Sequence, residues 1–127
     1  RRMTPLRLTI EGIPRSGKNS QRIAVNRRTG KRFTLKSKAA TAWATSAFAQ
    51  LVAQRGRRRL IVGPCAVDLM IYQRADVCDV DNVASLVLDS LNGVIIGDDS
   101  DVVDLRARKA IDRERPRVEI IVQEVAA

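Results

Sequence analysis

The chain has 127 residues and a formal net charge of +9, from 23 lysines and arginines against 14 acids. One domain of ordinary size fits this length, and we expect residues 1–127 to form it. Two cysteines without any histidine give no support to a disulfide framework or a zinc site, and no apolar run approaches the roughly 20 residues that cross a bilayer.

The amino-terminal part is predicted to form a strand followed by a basic hairpin. Apolar and polar residues alternate from Leu6 to Glu11, which indicates a strand with one buried face. Two β-prone segments, 23–25 and 33–35, flank a turn that ends at Gly30. Basic side chains bind phosphates with release of counterions, so we expect this arm to contact DNA. Its predicted DNA-binding residues are Arg15, Lys18, Arg22, Arg27, Arg28, Lys31 and Arg32.

The loop at 12–19 is one residue away from the phosphate-binding pattern GxxxxGK[ST]. Asn19 stands where that pattern has a hydroxyl group for magnesium. A basic hairpin follows the loop, in place of the apolar helix whose amino terminus would cradle phosphate. We therefore expect no nucleotide cofactor, and a nucleotide-dependent protein is the third and weakest hypothesis.

Two helices and three longer strands are predicted in the remainder. The first helix begins after Ser37, its cap, and ends near Gln54. Its apolar stripe comprises Ala40, Trp43, Ala44, Ala47, Phe48, Leu51 and Val52. A strand at 65–72 leads to a second helix, 82–92, capped by Asp81. A short buried strand at 94–96 and two strands near 103–109 and 118–122 complete an α+β domain with a mixed or antiparallel sheet.

Acidic residues are concentrated in one segment of this basic chain. Between Ala75 and Leu105 there are eight aspartates and no lysine or arginine. Either acidic group alone is explained by a helix cap or a polar turn. Their joint occurrence on both sides of one helix favours a site for a hard divalent ion, which prefers carboxylate oxygens. We expect the helix to turn the chain back so that the two groups converge; they are Asp79 with Asp81, and Asp98 with Asp99.

The same residues resemble the RusA family of Holliday junction resolvases, whose pattern is D-x-D-N, a helix ending in D-x-L-x-x-G, and D-D. Segments 79–82, 88–93 and 97–99 carry the resemblance. It implies a bacterial or phage-encoded cytoplasmic homodimer that cleaves four-way DNA junctions in recombination and repair, with Mg²⁺ or Mn²⁺ as cofactor. The implied catalytic carboxylates are Asp79, Asp81 and Asp99, and the implied metal ligands are these three and Asp98.

One position departs from the family pattern. A lysine usually stands four residues after the second aspartate of D-x-D, and this chain has Ser85 there. Such a lysine would offer positive charge to the scissile phosphate. Lys109, which we expect to contact DNA, or Lys18 or Arg106 would have to replace that charge. The second hypothesis is therefore a junction- or DNA-binding protein with weak or lost nuclease activity.

Overall fold

The computed structural model describes residues 4–15, 22–35, 38–75 and 79–126. Its elements, in chain order, are β1 Leu6–Glu11, β2 Arg22–Val25, β3 Arg32–Leu35, α1 Lys38–Arg55, β4 Cys65–Gln73, α2 Val80–Leu91, β5 Val102–Ile111 and β6 Arg117–Glu124. A short 3-10 turn, Asp99–Asp101, immediately precedes β5. In the described ranges no helix is both long and apolar enough to span a bilayer.

Four strands form one mixed sheet in the order β1-β6-β4-β5. β6 is antiparallel to both of its neighbours, whereas β4 and β5 are parallel. β2 and β3 pair with each other as an antiparallel hairpin and, within the described ranges, with no other strand. The predicted α+β architecture, with a mixed sheet and two main helices, is confirmed.

The core lies between one face of this sheet and the two helices. Residues along β4 are alternately buried and partly exposed, as expected for a strand covered on one face only. Most of the buried side chains are aliphatic, and they form a single cluster together with Trp43. From the sheet they include Leu8, Ile10, Val67, Leu69, Ile71, Val118, Ile120 and Val122, and from the helices Trp43, Ala47, Leu51, Val83, Val87 and Leu91.

The crossover β4-α2-β5 decides where the acidic groups lie. Because β4 and β5 are parallel, α2 must carry the chain from the end of β4 back to the level at which β4 began. The register confirms this return, since Cys65 lies opposite Val102 and Gln73 lies opposite Ile111. The 12 residues of α2 span about 18 Å at 1.5 Å per residue.

The start of α2 differs from the sequence prediction. Asp79, and not Asp81, is the residue that precedes the helix, and the cap assigned to Asp81 is wrong. The Val83 N–H donates to the Asp79 carbonyl oxygen at 3.1 Å, which closes the first turn. Val80 packs against the core at the beginning of this turn. Asp81 therefore lies within the first turn of α2.

The predicted strand at 94–96 is also wrong, although its residues are buried. The N–H groups of Val94, Ile95 and Ile96 all donate to the Leu91 carbonyl oxygen, at 3.1, 2.9 and 3.2 Å. The segment is therefore a tight turn that continues directly from the end of α2. Ile96 forms isolated bridges with Ile61 and Asn92, and its side chain is part of the core.

The apolar stripe of α1 is narrower than predicted. Ala40, Trp43, Ala47 and Leu51 are buried, but Ala44 and Phe48 are exposed and Val52 is largely so. The helix contacts the sheet through β1 and also packs against α2. Residues three to four apart form a single line on a helix, and only that line faces these neighbours.

Candidate metal centre

The first acidic group lies at the amino-terminal end of α2. Asp79 and Asp81 are both exposed, and Val80 between them is partly buried. The Asp79 carboxylate accepts a hydrogen bond from the Asn82 side-chain amide at 3.1 Å. It makes no capping bond to the N–H groups of the first turn. Both side chains lie at the positive end of the helix dipole.

The second acidic group lies on the turn that follows α2. Asp98 Oδ1 accepts a hydrogen bond from the Ser100 N–H at 3.2 Å, and bonds from Ser100 are the main reason that the pKa of Asp98 is lowered. The pKa of Asp99 is raised, first by a side-chain hydrogen bond with Asp98 and then by desolvation and the charges of Asp98 and Asp89. The two carboxyl groups are thus close enough to share a proton, which a bound cation would replace.

Three contacts hold this acidic turn against the body of the domain. The Gly97 N–H donates to the Ile61 carbonyl oxygen at 2.9 Å, and the Gly63 N–H lies 3.4 Å from Asp101 Oδ2. At the preceding turn, Arg55 Nη1 donates to the Val94 carbonyl oxygen at 3.1 Å. Asp98 and Asp99 are therefore exposed but rest on a fixed backbone.

Within one protomer the structure does not bring the two acidic groups together. Asp79 and Asp81 lie where β4 ends, and Asp98 and Asp99 lie where β4 begins, with the length of α2 between them. Among the residues that the structure describes, no three or more histidine, cysteine, aspartate or glutamate side chains lie close enough to hold a metal ion. Each group by itself offers two carboxylates, the hard oxygen ligands that Mg²⁺ and Mn²⁺ accept.

The basic arm has exposed cations around its turn. The Gly30 N–H donates to the Asn26 carbonyl oxygen at 2.7 Å, and Gly30 has a φ of 72°, a conformation that favours glycine. Lys18 lies outside the described residues, as does the side chain of Arg22. The other predicted DNA-binding residues of this arm are all exposed: Arg15, Arg27, Arg28, Lys31 and Arg32.

Lys109 is placed at the same end of the sheet as Asp79 and Asp81. It lies opposite Ile71 in the register of β4 and β5, and so its side chain leaves the sheet on the face that carries the helices. Ser85 is exposed, one turn along α2 from Asp81. Lys109 and the beginning of α2 thus lie at the same end of the sheet and on the same face of it, although they are distant in sequence.

The prediction from sequence missed Gln73, a polar residue at the same end of the sheet. It is 4% exposed, and its Nε2 has no hydrogen-bond partner among the described residues. Its carbonyl oxygen accepts from the Asp112 N–H at 2.8 Å, which fixes the end of β4. One signal for it was present in the sequence: every second residue of β4 is predicted to be buried and is apolar, except Gln73.

Comparison with known proteins places the chain in a family. Residues 14–123 match the family model described as "Endodeoxyribonuclease RusA". A protein of Bacillus subtilis (strain 168), described as "Uncharacterized protein YqaN", is 34% identical over 103 aligned positions, which cover 63% of this chain and 72% of the relative. The family match covers most of the chain and includes both acidic groups and α2. The chain therefore belongs to the RusA family of endodeoxyribonucleases.

Proposed function

We propose that residues 1–127 form one RusA-type domain that resolves four-way DNA junctions by paired phosphodiester hydrolysis, with Mg²⁺ as cofactor and Mn²⁺ as a substitute. The proposed setting is recombination and repair in the cytoplasm of a bacterium, encoded by the host or by a phage. The observation that carries the proposal is the pair of exposed carboxylate groups at opposite ends of α2, in a chain of this family.

The separation of the acidic groups supports a homodimeric enzyme. The α2 helix, about 18 Å long, lies between the two carboxylate groups of one chain, whereas the ligands of one ion lie within metal–oxygen distances of about 2 Å. In a twofold dimer the beginning of α2 in one protomer can meet the acidic turn of the other. Such a dimer has two equivalent sites, and a four-way junction requires two symmetric cuts.

In each proposed site Asp79 and Asp81 hold the metal ion together with Asp99 of the partner subunit, and Asp98 of the partner subunit is the neighbouring ligand. An ion held there would activate a water for in-line attack and neutralise charge on the phosphate. Asn82 orients the Asp79 carboxylate through the hydrogen bond described above. Lys109 compensates for Ser85 by offering positive charge to the phosphate that is cut.

The basic hairpin positions the substrate. Its exposed arginines and lysines contact phosphates and therefore recognise the shape and backbone of branched DNA more than its base sequence. The acidic segment would repel such a backbone in the absence of metal, so productive binding at the site depends on the cation. The basic hairpin and the acidic groups thus have separate roles, binding and cutting.

The test is cleavage of a labelled four-way junction with Mg²⁺ by the wild type and by Asp81→Asn. We expect the wild type to nick two opposed strands and the variant to bind the junction at least as tightly without nicking, because it loses a metal ligand and a negative charge near phosphate. Asp68→Asn, in the partly exposed phase of β4 and on the sheet face away from the helices, is the matched control and should cut normally. Normal cutting by Asp81→Asn would overturn the site.

The second candidate is a junction-binding protein with weak or lost turnover, and Ser85 is the observation in its favour. The same assay separates the two functions. Retention of the junction without any nicking by the wild type, in Mg²⁺ and in Mn²⁺, would favour the binding protein. Recovery of nicking in Ser85→Lys would then assign the loss to the missing cation.

A further inference from the structure

Three consecutive arginines, Arg57, Arg58 and Arg59, form an exposed turn after α1, which we call the arginine turn. From residue 12 to residue 67 the chain has no aspartate or glutamate. The ion pairs found within the described ranges all belong to arginines of β5, of β6 or of the loop between them. Arg57 and Arg59 take part in none of these pairs. Guanidinium groups without a carboxylate partner are available to a phosphate.

The arginine turn has a defined conformation. The backbone turns at Gly56, whose φ of 59° is the conformation that commonly ends a helix. The Arg58 N–H donates to the Arg55 carbonyl oxygen at 3.2 Å, and Arg58 Nη1 donates to the Gln54 carbonyl oxygen at 3.2 Å. These bonds fix the turn to the end of α1. Arg59 makes no such bond to the described residues, so its side chain is available to a ligand.

A cavity of about 570 Å³ lies beside the arginine turn, between the connection from α1 to β4 and the end of the sheet. Its lining is part apolar and part charged, and it includes Pro5, Leu6, Leu60, Arg58, Arg59 and Glu124. Leu60 is partly exposed and does not belong to the core cluster, so packing of the core does not account for this apolar wall. Ligand pockets commonly have volumes of about 300–1,000 Å³, with apolar walls and a few polar groups.

We propose that this cavity binds an unpaired nucleotide of a DNA strand, with its phosphate on Arg58 and Arg59 and its base inside the cavity. The inference rests on the proposed function for its DNA substrate. Guanidinium groups bind phosphate through charge-assisted hydrogen bonds, and the apolar wall removes the face of the base from water. Glu124 is an acceptor for the hydrogens on the edge of the base. A duplex, whose bases are stacked inside the helix, would contact the arginines without filling the cavity.

The cavity adjoins the acidic turn. Ile61 lines the cavity, and its carbonyl oxygen accepts from the Gly97 N–H at 2.9 Å, immediately before Asp98. The Ile61 N–H donates to the Ile95 carbonyl oxygen at 2.9 Å, so two bonds join this wall to the turn that follows α2. The 18 residues of α1, about 27 Å long, lie between the basic hairpin and the arginine turn along the chain. The two basic surfaces thus contact different parts of one substrate.

The test compares a labelled single-stranded oligonucleotide with an abasic strand of the same length, by fluorescence anisotropy in EDTA. Removal of divalent metal prevents cleavage, so the assay measures binding alone. The two strands carry the same phosphates, and the difference between their affinities therefore reports contact with the bases. We expect the wild type to bind the abasic strand more weakly by about fivefold or more.

Two variants separate the base from the phosphate. Leu60→Ser should weaken binding of the oligonucleotide by about fivefold and leave binding of the abasic strand unchanged, because it removes only the apolar wall. Val62→Ser is its control, at a neighbouring position that is 77% exposed, and should bind both strands normally. Arg59→Ala should weaken binding of both strands by about tenfold and reduce the salt dependence by about one phosphate contact. Arg7→Ala is its control, because it removes an exposed arginine from β1, and should leave both affinities nearly unchanged.

The outcomes separate this inference from the proposed function. Equal binding of the two strands by the wild type, or an equal effect of Leu60→Ser on both, would overturn the nucleotide site. Normal binding by Arg59→Ala, or an equally large loss in Arg7→Ala, would overturn the phosphate contact. The expected pattern in a wild type that leaves four-way junctions uncut in Mg²⁺ would preserve this site and refute the nuclease. Unchanged affinity of Leu60→Ser for the abasic strand also shows that this variant is folded.

Discussion

Mixing two inactive variants should restore cleavage if each site takes acids from both protomers. Asp81→Asn disables the beginning of α2, and Asp99→Asn disables the acidic turn. In a heterodimer of these variants one site carries both substitutions and the other carries neither. The intact site combines Asp79 and Asp81 of the Asp99→Asn chain with Asp99 of the other chain.

The fraction of active sites that the mixture should recover follows from the length of α2 and from the number of intact sites in each kind of dimer. Because the whole length of α2, about 18 Å, lies between the two groups of one chain, a shared ion needs the second copy, and no homodimer of either variant retains an intact site. Random exchange gives about half heterodimers with one good site of two, so about a quarter of the wild-type sites return. Sites formed within one chain would give no recovery.

The assay follows nicking of a junction with each strand labelled, after exchange of differently tagged protomers. Heterodimers isolated through both tags should cut one strand of each junction, whereas the wild type cuts two. The control mixture of Asp79→Asn with Asp81→Asn should stay inactive, because both substitutions affect the same acidic group. Isolated heterodimers of Asp81→Asn and Asp99→Asn that cut nothing would refute the shared site.

Three further predictions concern charge, packing and pH. Lys109→Ala should slow cleavage by about 10²–10³-fold with little change in junction binding, as measured in single-turnover assays, and adding Ser85→Lys should recover part of the rate. Leu69→Ala, at a fully buried position in the central strand β4, should lower the free energy of unfolding by about 2–5 kcal/mol in urea titrations. The pKa of Glu11 is lowered chiefly by its hydrogen bond with Arg115. This contact therefore stabilises the fold at pH values above the ordinary pKa of glutamate, and the stabilisation is lost as the pH falls through the lowered pKa of the folded protein. Glu11→Gln should therefore melt earlier than the wild type at neutral pH, and the difference should vanish in acid.

Local patterns in the sequence were sufficient for most of the secondary structure. The alternation from Leu6 to Glu11 and the apolar spacing along α1 depend on neighbours in the chain, which is why both elements were predicted. The start of α2 was not predicted correctly, because it depends on Val80 packing against the core. The exposure of Phe48 was not predicted either, because the spacing of apolar residues along α1 does not show which other elements pack against the helix.

The candidate site was predictable in composition but not in geometry. The acidic groups stood out because the basic residues are absent from one segment of a basic chain. Whether they converge depends on the direction of β5 relative to β4, a long-range property that neither acidic group encodes. The parallel pairing places them at opposite ends of α2, and the position of Lys109 follows from the same pairing.

The length of α2 also has a consequence for the cell that makes this protein. If a complete cutting centre exists only where two copies meet, a newly synthesised chain is harmless to the chromosome until it finds its counterpart. Activity should then rise with the square of protein concentration at low abundance, and synthesis rate would act as a brake. Because α2 keeps the two acidic groups of each chain apart, it would prevent premature cleavage without an inhibitor.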